Sequence, residues 1–238
     1  MGDRPYNIRR PRCRPSWTCT LLIHIGAMVA AVIIALYLLN INSEIVILDY
    51  DGFNLHYDCT HHTALRFSYS LSYDIGNVRR PKGFNFDPDL DRSCQQYSRS
   101  SYSKIRQGYD RGHLVPSNHM DSDLKLILRS HYMTNIVPQI SSFNRGIWLQ
   151  TEEIAECYRD ISPIDVLGGV IYTDDYSRDF FVKSHGIRTP YYFWKVIINY
   201  KNNTGTPEII SWLIPNEEKL GPLTSYLASV VEIESKLT

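Results

Sequence analysis

The sequence predicts a single α+β domain over residues 43–238, preceded by one membrane-spanning helix. Three observations support this fold class. Short runs rich in β-branched and aromatic residues recur between turn-forming residues, as strands of a sheet do. Segments with helical spacing begin at good N-cap residues in the middle of the chain. The domain also has the usual size for one hydrophobic core, and no repeat or low-complexity tract divides it.

The N-terminal segment is first basic and then apolar. Its first 18 residues carry a net charge of +4, which leaves −4 for the rest of the chain. Only His24 interrupts the apolar run Leu21–Leu39, which is close to the ~20 residues that cross a bilayer as a helix. We therefore predict a transmembrane helix over residues 19–41 behind a basic tail of residues 1–18. A cleaved signal peptide and a mitochondrial presequence are the alternatives.

The charge of the tail predicts the orientation of a single-pass membrane protein. Arginines before a membrane helix favour an N-terminus on the cytoplasmic or matrix side. The domain then lies on the opposite face, in the secretory lumen, outside the cell or in the mitochondrial intermembrane space. The tail contains Arg4, Arg9, Arg10, Arg12 and Arg14 against Asp3.

Five segments have the composition of strands, and most of the remaining ordered pattern is helical. A polar stretch from Arg79 to Tyr102 contains Pro81, Gly83 and Pro88 and is predicted to be a long surface loop. The predicted strands are Glu44–Tyr50, Ala64–Tyr73, Asp165–Tyr172, Tyr191–Tyr200 and Glu208–Leu213. The predicted helices run from Asp121 or Ser122 to Ser130, from Ser141–Ser142 to about Tyr158, and over Pro222–Leu237.

Three of the five cysteines lie in the domain, at Cys59, Cys94 and Cys157. This odd number allows at most one disulfide within the domain, and the spacing of these cysteines is not that of a zinc site.

The chemistry is concentrated in two short stretches around residues 110 and 144. Hydrolysis of a phosphodiester needs a base for the attacking water, a metal ion for the charge, and cations for the backbone. His113 can act as the base because imidazole titrates near neutral pH. Asn144, at the start of a predicted helix, offers the neutral oxygen that a hydrated Mg²⁺ accepts. A strand, a turn and a helix that carry these two residues predict a ββα-metal arrangement.

Four segments taken together resemble the family of DNA/RNA non-specific endonucleases, in particular its endonuclease G branch. The likeness extends from about Asn77 to Lys201 and is centred on the DRGH tetrad. The segments are DRGHLVPSNH at 110–119, TNIVPQ at 134–139, FNRGIW at 143–148 and FWKV at 193–196.

This resemblance implies a fold and an activity. The expected fold is a ββα-metal nuclease with a central, mostly antiparallel sheet flanked by helices. The expected activity is Mg²⁺-dependent hydrolysis of DNA and RNA with little sequence specificity, which leaves 5′-phosphates. Mn²⁺ is expected to substitute for Mg²⁺, since both accept oxygen ligands. Relatives of this type often pair, so a homodimer is also expected.

The resemblance also assigns roles to individual residues. It implies that His113 is the general base, that Asn144 is the metal ligand and that Asn135 supports the geometry of the site. Glu152 falls where the family has a glutamate that organises the water shell of the metal. In the tetrad, Arg111 is expected to assist catalysis and Asp110 to contact the substrate. The candidates for the phosphate-clamping cation are Arg79, Arg80 and Lys82.

One departure from the family pattern keeps a second function open. Some members have an arginine four residues after the glutamate, where this chain has Glu156, with Arg159 three residues further on. The acidic charge of the domain also means that contacts with a polyanion must come from a local patch. The alternative is therefore a membrane-tethered nucleic-acid-binding protein with a degenerate nuclease fold. A phosphodiesterase acting on small nucleotides or lipids is a third possibility. His119, His131 and His185 are expected to be structural or surface residues.

Overall fold

A computed structural model describes residues 45–200 and 207–237 of the chain. The fold is α+β, as predicted, with eight strands and several short helices. The strands are β1 (Ile45–Asp49), β2 (Phe53–Asp58), β3 (Thr63–Leu71), β4 (Tyr109–His113), β5 (Ile136–Ile140), β6 (Ile164–Ile171), β7 (Tyr192–Asn199) and β8 (Glu208–Pro215). Six of them form one antiparallel sheet in the order β1-β2-β3-β6-β7-β8, while β4 and β5 form a separate antiparallel pair.

The helices are short, apart from one continuous helical segment after β5. The α-helices are α1 (Leu124–Ser130), α2 (Ser141–Phe143), α3 (Leu149–Arg159), α4 (Val182–His185) and α5 (Val230–Glu234). Turns of 3-10 helix occur at Arg92–Cys94, Tyr102–Lys104, Ser117–Met120, Met133–Asn135 and Leu223–Tyr226. A π-helical turn, Asn144–Trp148, joins α2 directly to α3, since the residues at both junctions keep helical dihedral angles.

The six-stranded sheet is covered on both faces, which explains why β7 is almost continuously apolar. Phe193 and Ile197 point into the larger core, where the ring of Phe193 lies 5.3 Å from that of Trp148. The alternate residues of β7 pack in a smaller cluster with Ile233 of α5; they are Trp194, Val196 and Ile198. Lys195 has the same strand parity as Phe193 and Ile197, so this lysine points into the larger core.

The β4–β5 pair and the helix that follows it position the predicted site residues. His113 ends β4 opposite Ile136, and Tyr109 begins β4 opposite Ile140. Because α2 begins at Ser141, directly after β5, the helical segment with Asn144 lies next to the start of β4. The strand, turn and helix order expected from the sequence is therefore present.

The five predicted strands are confirmed within two residues at each end, but β2, β4 and β5 were not predicted. The strand β4 is polar because it consists of the DRGH tetrad and one tyrosine. In β5, Pro138 is an unusual strand residue that the two-stranded pair tolerates opposite Arg111. The helix predicted from about 122 to 130 is confirmed as α1, with Asp123 as its N-cap.

The continuous helix predicted over Pro222–Leu237 is wrong. Leu227 pairs with Trp212 at the edge of β8, and the backbone N–H of Ala228 donates to Ser211. This pairing with the sheet divides the segment into a 3-10 turn and the five-residue helix α5, which Ser229 caps.

A disulfide joins Cys59, just after β2, to Cys94 in the long loop, and Cys157 is a free cysteine. The predicted basic tail and transmembrane helix lie outside the described residues. Within residues 45–200 and 207–237, no helix is both long enough and apolar enough to cross a bilayer.

Candidate active site

His113 lies at the end of β4 with its ring between two aromatic side chains. Its ring centroid is 4.8 Å from that of His131 and 5.4 Å from that of Phe84. Burial, followed by the positive charge of Arg80, lowers the pKa of His113 well below its usual value. The imidazole is therefore neutral at neutral pH. Its Nε2 atom has no hydrogen-bond partner in the described part of the chain and can accept a proton.

The same burial limits access to this base. Only 8% of His113 is exposed. Its Nε2 atom is buried, so the ring is more enclosed than a general base needs to be. His131 was expected to be a structural or surface residue, and its ring lies in contact with that of His113.

Asn135 fixes the chain just after His113. Its Oδ1 accepts a hydrogen bond from Val115 N at 2.9 Å, and its Nδ2 donates to Val115 O at 2.9 Å and to Ser130 O at 2.8 Å. The backbone N–H of Leu114 donates to Asn135 O at 3.0 Å. Asn135 is fully buried. These bonds give it the position of a supporting residue, and its importance for catalysis stays a prediction.

Asp110 ties the start of β4 to the helical segment that carries Asn144. Its carboxylate accepts from Ser141 Oγ at 3.0 Å, from Asn144 Nδ2 at 3.0 Å, and from Nε and an Nη atom of Arg145 at 2.7 Å each. Burial opposes ionisation of Asp110, but the hydrogen bonds from Arg145, Asn144 and Ser141 outweigh it and lower its pKa. Asp110 is therefore an ion-pair and positioning residue here, and not a free group that faces a substrate.

The carboxamide of Asn144 is oriented by this contact. Because Nδ2 donates to Asp110, Oδ1 is left as the available atom for a cation. Nearby, the side chain of Gln139 lies over Gly112, where a Cβ atom would come within 2.0 Å of Gln139 Oε1. Both polar atoms of this buried carboxamide lack hydrogen-bond partners among the described residues. Asn144 thus provides a neutral oxygen next to the Asp110 carboxylate.

This donor set suits a hard cation that keeps most of its water ligands. It does not suit a cation that is held by protein ligands alone. In the described ranges, no group of three or more His, Cys, Asp or Glu residues could hold a metal ion. Mg²⁺ usually keeps several waters and needs few protein ligands, so Asn144 is a chemically suitable ligand. No hydrogen bond or ring contact between described residues joins Asn144 directly to His113. Their convergence on one ion therefore stays a prediction.

Arg80 is distinguished electrostatically from the other two candidate cations. Its charge contributes to lowering the pKa of both His113 and His131, and it opposes the rise in the pKa of Glu152. Arg79 and Lys82 contribute to none of these shifts. All three side chains are exposed. Arg80 is thus the candidate that electrostatically links the histidine pair to the glutamate on α3.

The side chain of Arg111 contacts residues of the long loop that precedes β4. Its guanidinium lies 4.3 Å from the centroid of the Phe84 ring and donates to Arg99 O at 2.6 Å. These contacts pack the long loop against β4 and hold Phe84 beside His113. The assignment of Arg111 as a residue that assists the reaction stays a prediction.

Glu152 lies on α3 near a buried lysine that was not among the predicted site residues. Burial raises the pKa of Glu152, and the charge of Lys195 is the main opposing influence. Lys195 is fully buried; its Nζ donates to Thr151 Oγ1 at 2.7 Å and lies 3.9 Å from the centroid of the Trp148 ring. In the sequence, the only indication that Lys195 belongs near the site was its position in the FWKV segment.

The carboxylate of Glu156 is paired with other side chains of the protein. It therefore does not leave an unpaired negative charge in the site. His119 Nε2 lies 3.1 Å and Arg159 an Nη atom 3.3 Å from its carboxylate oxygens. Burial opposes ionisation of Glu156, but these two partners lower its pKa. Arg159 also donates to Ser72 O at 2.8 Å and is only 5% exposed. It therefore does not replace the missing arginine as a cation that faces a phosphate.

Proteins that are similar in sequence to this chain are nucleases. A family model described as DNA/RNA non-specific endonuclease matches residues 37–238. The mitochondrial endonuclease G of Bos taurus is 25% identical over 195 residues, which cover 71% of this chain and 65% of that protein. A nuclease of Nostoc sp. is 26% identical over 177 residues, covering 68% of this chain and 60% of that protein. The chain thus spans less than two thirds of the length of these relatives.

A solved structure provides a comparison of the fold. The structure of an EndoG/EndoGI complex matches 80% of this chain and 82% of its own chain, with a TM-score of 0.66 and 20% sequence identity. At this identity the match shows a shared fold.

Proposed function

The chain belongs to the DNA/RNA non-specific endonuclease family, and on this premise we propose that it is a metal-dependent endonuclease that cuts DNA and RNA. The proposal depends mainly on one observation at the end of β4: the ring of His113 is neutral and one of its nitrogens has no partner among the described residues. The Asp110–Asn144 pair supports it, because it provides an oriented amide oxygen beside the same strand.

The proposed reaction is an in-line displacement at phosphorus. His113 Nε2 takes a proton from a water molecule, and the oxygen of that water forms a bond with phosphorus. The bond between phosphorus and the 3′ oxygen breaks, the departing oxygen takes up a proton from solvent water, and His113 then releases its proton to solvent. The products carry a 5′-phosphate and a 3′-hydroxyl. Because water and not a ribose hydroxyl is the nucleophile, the reaction applies to DNA and RNA alike.

The other residues have positioning and electrostatic roles in this proposal. Asn144 Oδ1 is the ligand for a divalent cation, for which Mg²⁺ fits and Mn²⁺ can substitute. When bound, such an ion stabilises negative charge on the phosphate and on the departing oxygen. Glu152 accepts hydrogen bonds from water near the site, and Lys195 favours its charged form. Arg80 is the phosphate contact we favour over Arg79 and Lys82.

The test is cleavage of plasmid DNA and of RNA by the full chain, in Mg²⁺ or in EDTA. We expect cleavage only with the metal, and we expect His113→Ala to reduce the rate by about 10²- to 10⁴-fold. His61→Ala is the matched control, because His61 is exposed and pairs with Asp58. An unchanged unfolding midpoint in His113→Ala separates chemistry from folding. Near-normal cleavage by that variant would remove His113 as the base.

The pH profile provides a second measurement on the same residue. Because burial lowers the pKa of His113, its basic form persists to lower pH than that of an ordinary histidine. The value of kcat/KM should therefore stay constant from neutral pH down to below 6.5 and fall only in more acidic solution. A fall that begins near pH 7 would contradict the environment described for this ring.

Binding without cleavage is the second candidate function. Two observations favour it: His113 is enclosed, and Glu156 occupies the position of an arginine that some members have. If the chain binds plasmid and RNA in both Mg²⁺ and EDTA but cuts neither, the binding protein is the correct assignment. Failure to bind or cut either polymer would favour the small-molecule phosphodiesterase.

We also propose a mitochondrial location, which rests on the mitochondrial endonuclease G among the relatives. Attachment through residues 19–41 and a homodimer remain predictions from the sequence. Immunoblotting of carbonate-washed mitochondrial membranes would test both the location and the membrane attachment.

A further inference from the structure

The ring of His62 lies between two backbone carbonyl groups that belong to distant segments of the chain. His62 is in the turn between β2 and β3, has a left-handed φ of 53° and is only 7% exposed. Its Nδ1 atom lies 2.9 Å from Gly186 O, and its Nε2 atom lies 3.1 Å from Ser93 O. Gly186 directly follows α4, and Ser93 is in the long loop, next to the disulfide-bonded Cys94. One side chain thus joins three segments.

The two contacts can both be hydrogen bonds only if the ring is protonated. A carbonyl oxygen accepts and never donates, and a neutral imidazole carries a hydrogen on one of its two nitrogens. In neutral His62, one nitrogen would therefore turn its lone pair towards a carbonyl oxygen at hydrogen-bond distance. The protonated ring donates from both nitrogens and satisfies both carbonyl groups. The geometry thus favours the cation.

His185, the last residue of α4, shows the contacts that suit a neutral ring. Its Nε2 atom lies 3.1 Å from Ser100 O, but its Nδ1 atom lies 2.8 Å from Ser184 Oγ. Because a hydroxyl can donate as well as accept, a neutral His185 satisfies both contacts. Burial lowers the pKa of His185, which also favours the neutral form. His62 differs because both of its partners are carbonyl groups.

The charged residues that share a cavity with His62 are paired with other groups. Asp179 pairs with Arg188 at 2.6 Å, and His61 pairs with Asp58 at 2.7 Å. Within the described part of the chain, no carboxylate forms an ion pair with His62. The cavity has a volume of about 300 Å³, and the titratable residues in its wall are His61, His62, Tyr97, Tyr176, Asp179 and Arg188.

The charged residues beside the two carbonyl groups also have other contacts. The carboxylate of Asp91 accepts from Ser93 N at 2.8 Å, and Arg92 donates to Gln96 O at 2.7 Å. On α4, Lys183 is exposed to solvent. The carbonyl oxygens, and not an ion pair, are therefore the groups that stabilise the charge of protonated His62.

We propose that His62 is a pH-dependent clasp that holds the turn between β2 and β3 against the long loop and the end of α4. The protonated ring makes both hydrogen bonds, whereas the neutral ring makes only one. Unfolding exposes the ring to water and removes both bonds, so the folded chain favours protonation. The stabilisation is therefore present in mildly acidic solution and is lost as the pH rises through the range in which histidines titrate. This inference does not depend on the nuclease function.

The test is thermal unfolding of the full chain at about pH 5.5 and about pH 8.5, on either side of the range in which histidines titrate. His62→Asn removes the bridge, and asparagine tolerates the left-handed backbone. The Tm of wild type minus that of His62→Asn should be larger at the lower pH by at least about 3 °C, the effect of one charge-assisted hydrogen bond. His61→Asn is the matched control, because His61 is an exposed neighbour whose pair with Asp58 contributes little. An equal pH effect in the two variants would overturn the clasp.

If His62→Asn does not fold, hydrogen exchange of the wild type decides the question. Tyr97 N donates to His185 O at 2.8 Å, and Gly186 N donates to Val182 O at 3.0 Å, so these two amides report on the segments that the clasp holds. Their protection factors, relative to those of the amides of β7, should fall by about tenfold from the lower to the higher pH, as expected for loss of one charge-assisted hydrogen bond. A constant ratio would show that His62 does not act as a clasp.

Discussion

Substitution of Asn135 by alanine tests whether this residue holds the chain after His113. The change removes three side-chain hydrogen bonds, one from Val115 N and two to the carbonyl groups of Val115 and Ser130. All three residues are fully buried, so water cannot replace the lost partner without entering the core. Each unsatisfied backbone group costs about 1–3 kcal/mol, and Asn135→Ala should therefore lower the free energy of unfolding by at least about 3 kcal/mol.

The assay is urea unfolding followed by tryptophan fluorescence, with Asn118→Ala as the control. Asn118 is exposed and donates one hydrogen bond to Glu156 at 3.2 Å, so its replacement should cost less than about 1 kcal/mol. At a temperature where Asn135→Ala stays folded, cleavage should also fall, because Val115 lies two residues from His113. A loss of less than about 1 kcal/mol would show that the three bonds do not hold this turn.

Two further predictions concern buried features away from this turn. Burial lowers the pKa of Lys195, so the folded chain releases this proton at lower pH than the unfolded chain does. The free energy of unfolding is therefore greatest where Lys195 is neutral in both states, above the unfolded pKa of 10.5. This stabilisation is lost as the pH falls through the lower pKa of Lys195 in the folded chain. The free energy of unfolding of wild type minus that of Lys195→Met should therefore rise by at least about 1.4 kcal/mol towards pH 10.5, and a constant difference in urea titrations would contradict the assignment. The disulfide Cys59–Cys94 closes a 35-residue separation, for which the chain-entropy estimate is about 4 kcal/mol. Reduction should lower the urea midpoint of the wild type, and Cys59→Ser combined with Cys94→Ser should abolish that sensitivity to reductant.

The sequence reveals strands best where both faces of the sheet are covered. In β7 the alternate residues enter two different cores, so nearly every position is apolar and the strand is obvious. In contrast, β4 consists mainly of polar site residues, and hydrophobic periodicity cannot identify it. The C-terminal helix was overestimated for another reason, because the pairing of Leu227 with Trp212 depends on the position of β8 and not on local propensity.

The sequence could predict only those residues of the candidate site that belong to its motifs. The DRGH tetrad indicates His113, and the downstream amides indicate Asn135 and Asn144. Nothing local in the sequence indicates that Lys195 is buried beside Trp148, since a lysine within a strand is ordinarily on the solvent face. The contact between His113 and His131 likewise depends on how α1 and the turn after it return to β4. Such proximity is a product of tertiary packing, which periodicity does not encode.

The π-helical turn between α2 and α3 changes the orientation of Glu152 relative to Asn144, which lies eight positions before it. In an uninterrupted α-helix, with about 100° per residue, Asn144 and Glu152 would lie about 80° apart around the axis. A π-helical turn accommodates roughly one extra residue, which reduces this offset to about 20° and brings both side chains onto one face. The turn begins at Asn144, beside Asp110, and ends at Trp148, against Lys195. A regular α-helix over the same residues would therefore rotate Glu152 away from Asn144 even with every side chain of the site unchanged.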